Sequence, residues 1–243
     1  MGKRDNGGSK GYRALLVGAT GLVGSELLRQ LLTDAECIQV TVLARRPLAD
    51  DAAVVGQGKL RVITADFDQM ERALAGVEAE VIFCAIGTTI KKVKTQEAFR
   101  RVDYDYPVML GEWALRKGVK KMIVVSAMGA DASSRIFYSR VKGEMEQQLS
   151  RLGLPELHVL RPSLLLGNRT ELRTGERIAT LLSPLLSMLT VGPLRKYRPI
   201  HDKQVAAAMR AAAAEGQLLN KRDRVRMYDS NEIAASAAVI GMR

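Results

Sequence analysis

The stretch "LLVGATGLVGSELLRQLL", Leu15 to Leu32, decides how the rest of the chain is read. It opens as the end of a short apolar run, "YRALLVGA", that stops at a glycine, the signature of a buried strand. Beyond the glycines, Leu22, Val23, Leu27, Leu28, Leu31 and Leu32 recur at helical spacing. Between strand and helix stand Gly18, Gly21 and Gly24, a G-x-x-G-x-x-G turn. Glycine suits such a turn because a side chain would block close approach of the backbone to a pyrophosphate. The helix that begins near Leu22 then aims its free N–H groups and positive dipole end at the phosphates. Gly18, Thr20, Gly21, Leu22, Val23 and Gly24 are therefore candidate dinucleotide contacts. No Gly-Lys-Ser/Thr follows, which disfavours a Walker-type phosphotransferase.

Working outward, strands and helices alternate. "IQVTVLAR", "KLRVITAD", "EVIFCAIG", "VKKMIVVSAMGA" and "ELHVLRPS" read as further strands, each apolar on both faces. "TQEAFRRVDYDYPVMLGEWALRKG" and "RIFYSRVKGEMEQQLSRLG" read as amphipathic helices that stop at Gly118 and Gly153. This is the pattern of an α/β fold, a doubly wound parallel sheet of Rossmann type. The rhythm weakens after Pro162. Residues 163–200, with the apolar "LLSPLLSML" broken by Pro184, are expected to form a small C-terminal cap on the substrate side, followed by an Ala-rich helix. Residues 12–243 are expected to form one domain behind a flexible tail, 1–11.

The chain has 243 residues, 47% of them hydrophobic, enough for a sizeable core. It contains no apolar run of eighteen residues, so no membrane span is expected. The polar, Gly-rich N-terminus lacks the apolar core of a signal peptide, and Asn6 stands where myristoylation would need Ser or Thr. Cys37 and Cys84 read as reduced structural thiols of a cytoplasmic protein. His158 and His201 lie far apart in sequence, which argues against a His-based metal site. The net charge of +11 points to an anionic partner. Its clusters, Lys91-Lys92-Lys94, Arg195-Lys196-Arg198 and Lys221-Arg222-Arg224-Arg226, lack the interleaved aromatics of a nucleic-acid motif, so no specific nucleic acid is expected.

The end of the second strand reads "LARRP". An Asp or Glu there would serve the ribose hydroxyls of NAD; Arg45 and Arg46 suit a 2′-phosphate instead, which points to NADP(H). Asp66 and Phe67, after the third strand, are placed near the adenine. Ala85, Ile86 and Gly87, after the fourth, should run beside the cofactor. Arg161, Pro162 and Ser163, at the end of the sixth, should flank the nicotinamide. In "FYSRVKGEME", Tyr138 and Lys142 stand four apart. The pair alone fits either an acid with its helper or two surface side chains on one helix face.

The combination of "GATGLVG", "CAIGTT", "VDYDYP", "VVSAMGAD", "YSRVKGEME" and "LRPSLLLGNR" resembles the short-chain dehydrogenase/reductase superfamily, and within it the atypical members grouped with the Tat-interacting protein oxidoreductase. The likeness runs from about residue 13 to 170. It implies a Rossmann fold, NADP(H) and a Ser-Tyr-Lys site at Ser126, Tyr138 and Lys142. A tyrosine near a Lys⁺ can exchange a proton more readily, since the cation favours the phenolate. Lys142 can also hold the nicotinamide ribose. Ser126, at a strand end where open α/β sheets bind ligands, would orient the substrate oxygen. The chain departs from the superfamily at Asp103, where many members carry Asn. The expectation is an oxidoreductase acting on a small carbonyl or alcohol. The alternative is a cofactor-binding regulatory or scaffold protein, working through a protein partner or as a homo-oligomer. His201 and Asp202 could face substrate, with Asp202 the expected cap of the following helix.

Overall fold

A computed structural model describes residues 11–48, 58–166, 198–215 and 224–241. Residues 1–10 of the tail, residues 167–197 of the cap with Pro184, and the basic residues Arg195, Lys196, Lys221 and Arg222 lie outside the described residues.

Strand β1 (Tyr12–Val17) leads through the glycine turn into α1 (Leu22–Thr33) and β2 (Cys37–Ala44). Strand β3 (Leu60–Thr64) is followed by a 3-10 turn, Phe67–Gln69, that runs into α2 (Met70–Ala73) and β4 (Val81–Cys84). Beyond β4, α3 (Ile90–Val93) precedes α4 (Gln96–Arg100), a π turn (Arg101–Asp105) and α5 (Tyr106–Arg116). The chain continues with β5 (Lys121–Val125), α6 (Phe137–Arg151) and β6 (Glu156–Leu160). Two short strands, β7 (Leu165–Leu166) and β8 (Ile200–His201), pair in parallel. Helix α7 (Asp202–Ala214), β9 (Val225–Tyr228) and α8 (Ser230–Gly241) complete the described order.

The main sheet has seven strands, all parallel, in the order β3-β2-β1-β4-β5-β6-β9. The winding reverses between β1 and β4, the point where open α/β sheets bind ligands. Successive β1 residues face opposite layers. Ala14 and Leu16 join Leu27, Leu31, Met209 and Ile233 in one core. Leu15 and Val17 join Phe67, Leu110, Trp113 and Leu149 in the other. The central strands are apolar on both faces because helices cover both.

The edges are different. Strand β3 leaves Arg61, Val62 and Thr64 exposed, and β9 exposes Val225, Arg226 and Met227. The expectation of strands apolar on both faces holds at the centre of the sheet, in β1 and β4, while β6 buries Glu156 and His158. Strand β9 was not foreseen at all, because Arg226 within it and Arg224 just before it alternate with apolar residues and an edge strand has no second neighbour to demand apolarity.

The π turn has a local cause. Pro107 has no N–H to give the carbonyl of Asp103, so the α ladder breaks there. The Tyr106 N–H reaches back to the Arg101 carbonyl instead. Helices α5 and α6 end before Gly118 and Gly153, whose φ of 66° and 77° lie in the left-handed region. Residue Asp202 is the first residue of α7 rather than its cap. The cap is His201, whose N–H donates to Gln204 Oε1 at 3.1 Å.

Candidate functional site

Register aligns the strand ends. Val17 pairs with Cys84, Cys84 with Val124, and Val125 with Leu160. The residues just beyond, Gly18, Ala85, Ser126 and Arg161, therefore emerge along one rim.

Each glycine of the first turn has its own geometric reason. Gly18 has φ 99°, and a Cβ there would lie 2.5 Å from the Ala85 carbonyl. A Cβ on Gly24 would lie 2.0 Å from the Gly18 oxygen, so α1 can approach the turn only without one. Gly21 has an ordinary φ of −83°, and its nearest neighbour would be 3.3 Å away. Gly21 is less constrained than its neighbours: a Cβ there would press on the Gly18 oxygen, a contact that a shift of a few tenths of an ångström would relieve. No side chain caps α1 and no acidic residue stands in its first turn. Thr20 and Gly21 are exposed, Leu22 is half-buried, and Val23 is buried in the core. The residues present fit an anion at this helix start, and a dinucleotide pyrophosphate is such an anion.

Arg45 and Arg46 are exposed just past β2. Neither forms an ion pair with a described residue. The Arg45 guanidinium lies 5.6 Å from the centroid of the buried Phe67 ring, which itself packs edge-on against Tyr106. Asp66 is exposed, and its Oδ1 accepts the Asp68 N–H at 3.0 Å, capping the 3-10 turn. Past β4, the Ala85 N–H donates to the Val17 carbonyl, Ile86 is buried and Gly87 is exposed.

Ser126 is 5% exposed, and its Oγ has no hydrogen-bond partner among the described residues. A buried hydroxyl left this way costs stability unless something arrives to meet it. Its loop is pressed onto α6. A Cβ on Gly143 would stand 2.1 Å from the Ala132 nitrogen, and the Asp131 N–H donates to the Ser139 carbonyl. On α6, Tyr138 is 40% exposed, with its ring 5.7 Å from that of Phe99. One turn on, Lys142 is buried. Its Nζ donates to Asp103 Oδ1 at 2.8 Å, and the two side chains are 4% and 1% exposed. The second oxygen of Asp103 accepts the Thr88 N–H at 2.9 Å. Burial pulls the Lys142 ammonium toward neutrality, but the carboxylate of Asp103, helped by Tyr138, overcomes it and holds the ammonium above its ordinary range. The Cys84 thiol nearby is pushed up to about 11 by burial.

The three residues after β6 are committed elsewhere. The Arg161 guanidinium grips both oxygens of the buried Glu146, its Nε at 3.0 and 3.1 Å. The Pro162 carbonyl accepts the Met128 N–H. The Ser163 N–H donates to Ser230 Oγ at 2.6 Å, and its hydroxyl donates to the Arg198 carbonyl. These contacts staple the end of β6 to the Ser126 loop and to α8. Sequence reasoning missed the Asp103–Lys142 pair and the Arg161–Glu146 pair. The first had one available signal: at helical spacing Asp103 falls on the same face as the apolar Phe99 and Leu110.

A parallel sheet that reverses beside a glycine turn, with an uncapped helix behind it, defines a dinucleotide-binding protein. The chain belongs to the NAD(P)H-binding family, whose model matches residues 18–181. Among its relatives is Protein HTATIP2 of Rattus norvegicus, 34% identical over 165 residues that cover 68% of this chain and 67% of that protein. This agrees with the resemblance to the Tat-interacting protein group. Another is Protein FMP52, mitochondrial, of Eremothecium gossypii, 30% identical over 223 residues, 90% of this chain and 95% of the relative. Solved structures with the same fold include MoeE5 in complex with UDP-glucuronic acid and NAD, with a TM-score of 0.64 at 18% identity, covering 94% of this chain and 82% of that one. The UDP-glucose 4-epimerase of Thermotoga maritima has a TM-score of 0.64 at 16% identity, covering 94% and 82%.

The expectation of a cytoplasmic protein is corrected by these relatives, since the FMP52 proteins are mitochondrial by name. Free thiols report a reducing compartment, and the cytoplasm is not the sole example. Among the described residues, no helix is long and apolar enough to cross a membrane, and no cluster of three His, Cys, Asp or Glu could hold a metal ion.

Proposed function

We propose that the chain is an NADP(H)-dependent oxidoreductase that moves a hydride to or from a small carbonyl or alcohol. The observation that carries this reading is the buried, unpartnered Ser126 hydroxyl at the sheet's ligand-binding rim, locked through Gly143 against the helix that carries Tyr138 and Lys142. The bound cofactor would supply the hydride. Gly18, Thr20, Gly21, Leu22, Val23 and Gly24 would hold its pyrophosphate, and Arg45 and Arg46 its 2′-phosphate. Asp66 and Phe67 would border its adenine. Ala85, Ile86 and Gly87 would border its nicotinamide half, with Pro162 and Ser163 shaping the far wall.

The Ser126 hydroxyl donates to the substrate's carbonyl oxygen and fixes its direction. Tyr138 gives its phenolic proton to that oxygen as charge develops there, and its exposure lets water restore the proton. Lys142, one turn away on the same helix face, positions the phenol. The staple at Arg161 and Glu146 keeps the end of β6 from drifting away from this rim.

Thermal shift with NADPH against NADH, followed by a panel of carbonyl compounds, tests the reading. Tyr138→Phe is expected to lower turnover by about 10²- to 10⁴-fold, the usual worth of a general acid, while NADPH binding persists. Tight NADPH binding with no turnover across the panel would instead favour a regulatory or scaffold role. Unchanged turnover in Tyr138→Phe would remove the tyrosine from its role.

A further inference from the structure

We propose that the free edge of β9 docks the extended C-terminal segment of a partner protein, added as an antiparallel strand with its terminal carboxylate at Arg224. The register shows which backbone groups are open. The Leu157 N–H donates to the Arg224 carbonyl, and the Arg161 N–H to the Tyr228 carbonyl. In a parallel ladder every second residue bonds to the same neighbour, so Arg224, Arg226 and Tyr228 turn their backbone groups to β6. Val225 and Met227 turn theirs the other way, where no described residue meets them. This edge lies apart from the rim that carries Ser126, so the inference stands independently of the proposed oxidoreductase.

The side chains at this edge are open too. Val225 is 37% exposed and Met227, on the same face by alternation, 39%. On that face a cavity of about 320 Å³ lies between β6, β9 and the end of α6, lined by Leu149, Gly153, Leu154, Leu157, Arg224 and Val225. The three leucines are buried and make its floor apolar. Arg224 is exposed, and a Cβ on Gly153 would stand 3.8 Å from its Nη1, which places the guanidinium at the cavity mouth. It forms no ion pair with a described residue, whereas Arg226 is held by Glu215 and lies over the Tyr228 ring. An apolar hole, a free guanidinium and unpaired backbone groups together fit the last residues of a peptide. The final alkyl side chain enters the cavity, the carboxylate meets Arg224, and the preceding residues pair with the edge. The direction follows from the placement. Arg224 stands at the start of β9, so a strand that ends there runs antiparallel, the slightly stronger pairing. A second copy of this chain would bring its own Arg224 and Arg226 to the same edge, and like charges facing each other across a strand pair are unfavourable. The shortness of β9 and its Arg226 guard the edge against indiscriminate pairing, but they do not account for two apolar side chains left open beside a cavity.

The test is fluorescence anisotropy of the full chain with a fluorescein-labelled hexapeptide, Glu-Val-Thr-Val-Glu-Leu, that has a free C-terminus. Wild type is expected to bind it with a Kd on the order of 10–100 μM, and amidation of the C-terminus to weaken binding about tenfold or more, as loss of a charge-assisted hydrogen bond does. Arg224→Ala should weaken the free acid by a like factor and leave the amide unchanged; a guanidinium that served only the end of α6 would move neither. Met227→Pro removes an outward N–H and none that β6 uses, so it should abolish binding while a cooperative urea transition persists. Should Met227→Pro fail to fold, peptides N-methylated at alternate residues decide: one phase should bind and the other should not. Equal binding of acid and amide, undiminished binding to folded Met227→Pro, equal binding of the two methylated peptides, or no binding at about 1 mM peptide would overturn the inference. So would a dimer in sedimentation that Met227→Pro dissolves, which would give the edge to a second copy.

Discussion

Alanine at Gly21 and alanine at Gly24 should damage the protein in different ways, although both sit in the same turn. At Gly24 the new Cβ would stand 2.0 Å from the Gly18 oxygen, 2.7 Å from its carbon and 3.1 Å from the Ala19 Cα. All three are backbone atoms, so no side chain can rotate aside and α1 must move outward. Overpacking of this kind costs about 1–3 kcal/mol, and rigid neighbours put Gly24→Ala near the top of that range. At Gly21 the Cβ would meet the Gly18 oxygen at 3.3 Å and the Ala85 oxygen at 3.8 Å, with φ and ψ of −83° and 169° that any residue adopts. The folding cost there is about 1 kcal/mol or less, mostly for placing Ala at a helix N-cap. The same Cβ, however, occupies the ground over which a pyrophosphate approaches. Losing one charge-assisted hydrogen bond costs about 1.5–3 kcal/mol, or a roughly 10- to 150-fold weaker Kd. Urea unfolding of the cofactor-free proteins and a fluorescence titration with NADPH separate the two effects. Gly24→Ala should lose stability; Gly21→Ala should keep most of it and lose affinity. If Gly21→Ala destabilises the cofactor-free protein as much as Gly24→Ala, or binds NADPH within a factor of about two of wild type, the reading of this turn is wrong.

Three further outcomes are expected. Replacing Arg45 and Arg46 with Ala should weaken NADPH binding about tenfold or more and leave NADH binding nearly unchanged, since neither guanidinium is tied to a carboxylate among the described residues; calorimetry with both cofactors checks this. Burial depresses the proton affinity of His158, which sits between Tyr228 Oη at 2.7 Å and Glu156 Oε2 at 3.4 Å. Because the unfolded chain takes up that proton below about pH 6.5 and the folded one resists it, stability should fall as pH drops from 7 toward 5. Urea midpoints across this window should slope in wild type and flatten in His158→Gln; a flat wild-type curve would contradict the burial argument. The Lys121 ammonium donates to the carbonyls of Ala212, Ala213 and Glu215 while lying 3.3 Å from Glu156, so Lys121→Met should cost about 3–5 kcal/mol, the usual result of removing one partner of a buried ion pair. A midpoint shift too small for 1 kcal/mol would show that solvent reaches that pair.

Much of the sheet was legible because its central strands are covered on both sides and are apolar, as "LLV" in β1 and "VIFC" in β4 are. The glycine turn was legible because geometry leaves few substitutes at Gly18 and Gly24. Strand β9 was not, since its one buried residue, Tyr228, carries the whole inward signal while Arg224 and Arg226 look like a solvated basic run. Single residues at strand ends were singled out because open α/β sheets bind ligands there, and those on α6 through the resemblance, since the spacing of Tyr138 and Lys142 alone left two readings open. Their partners could not be singled out. Arg161 looked available to a ligand until Glu146 was found one helix away, and Lys142 looked like a lone cation until Asp103 was found against it. Ion pairs between distant segments leave no periodic trace, so only the packed chain reveals them.

The π turn at Arg101–Asp105 acts as a phase shifter within one long helical rod. On its N-terminal side Phe99 faces Tyr138, while on its C-terminal side Leu110 and Trp113 face the sheet. Each residue of an α-helix turns the rod by about 100°, so trimming a single residue from this turn would swing one half against the other by that angle. Either the Asp103 carboxylate would leave Lys142 or the core face of α5 would leave the sheet. The rod therefore couples two tasks that could otherwise drift apart: a length change here cannot be absorbed as a harmless loop variation, and the reactive end of the molecule inherits its alignment from the way the core is packed.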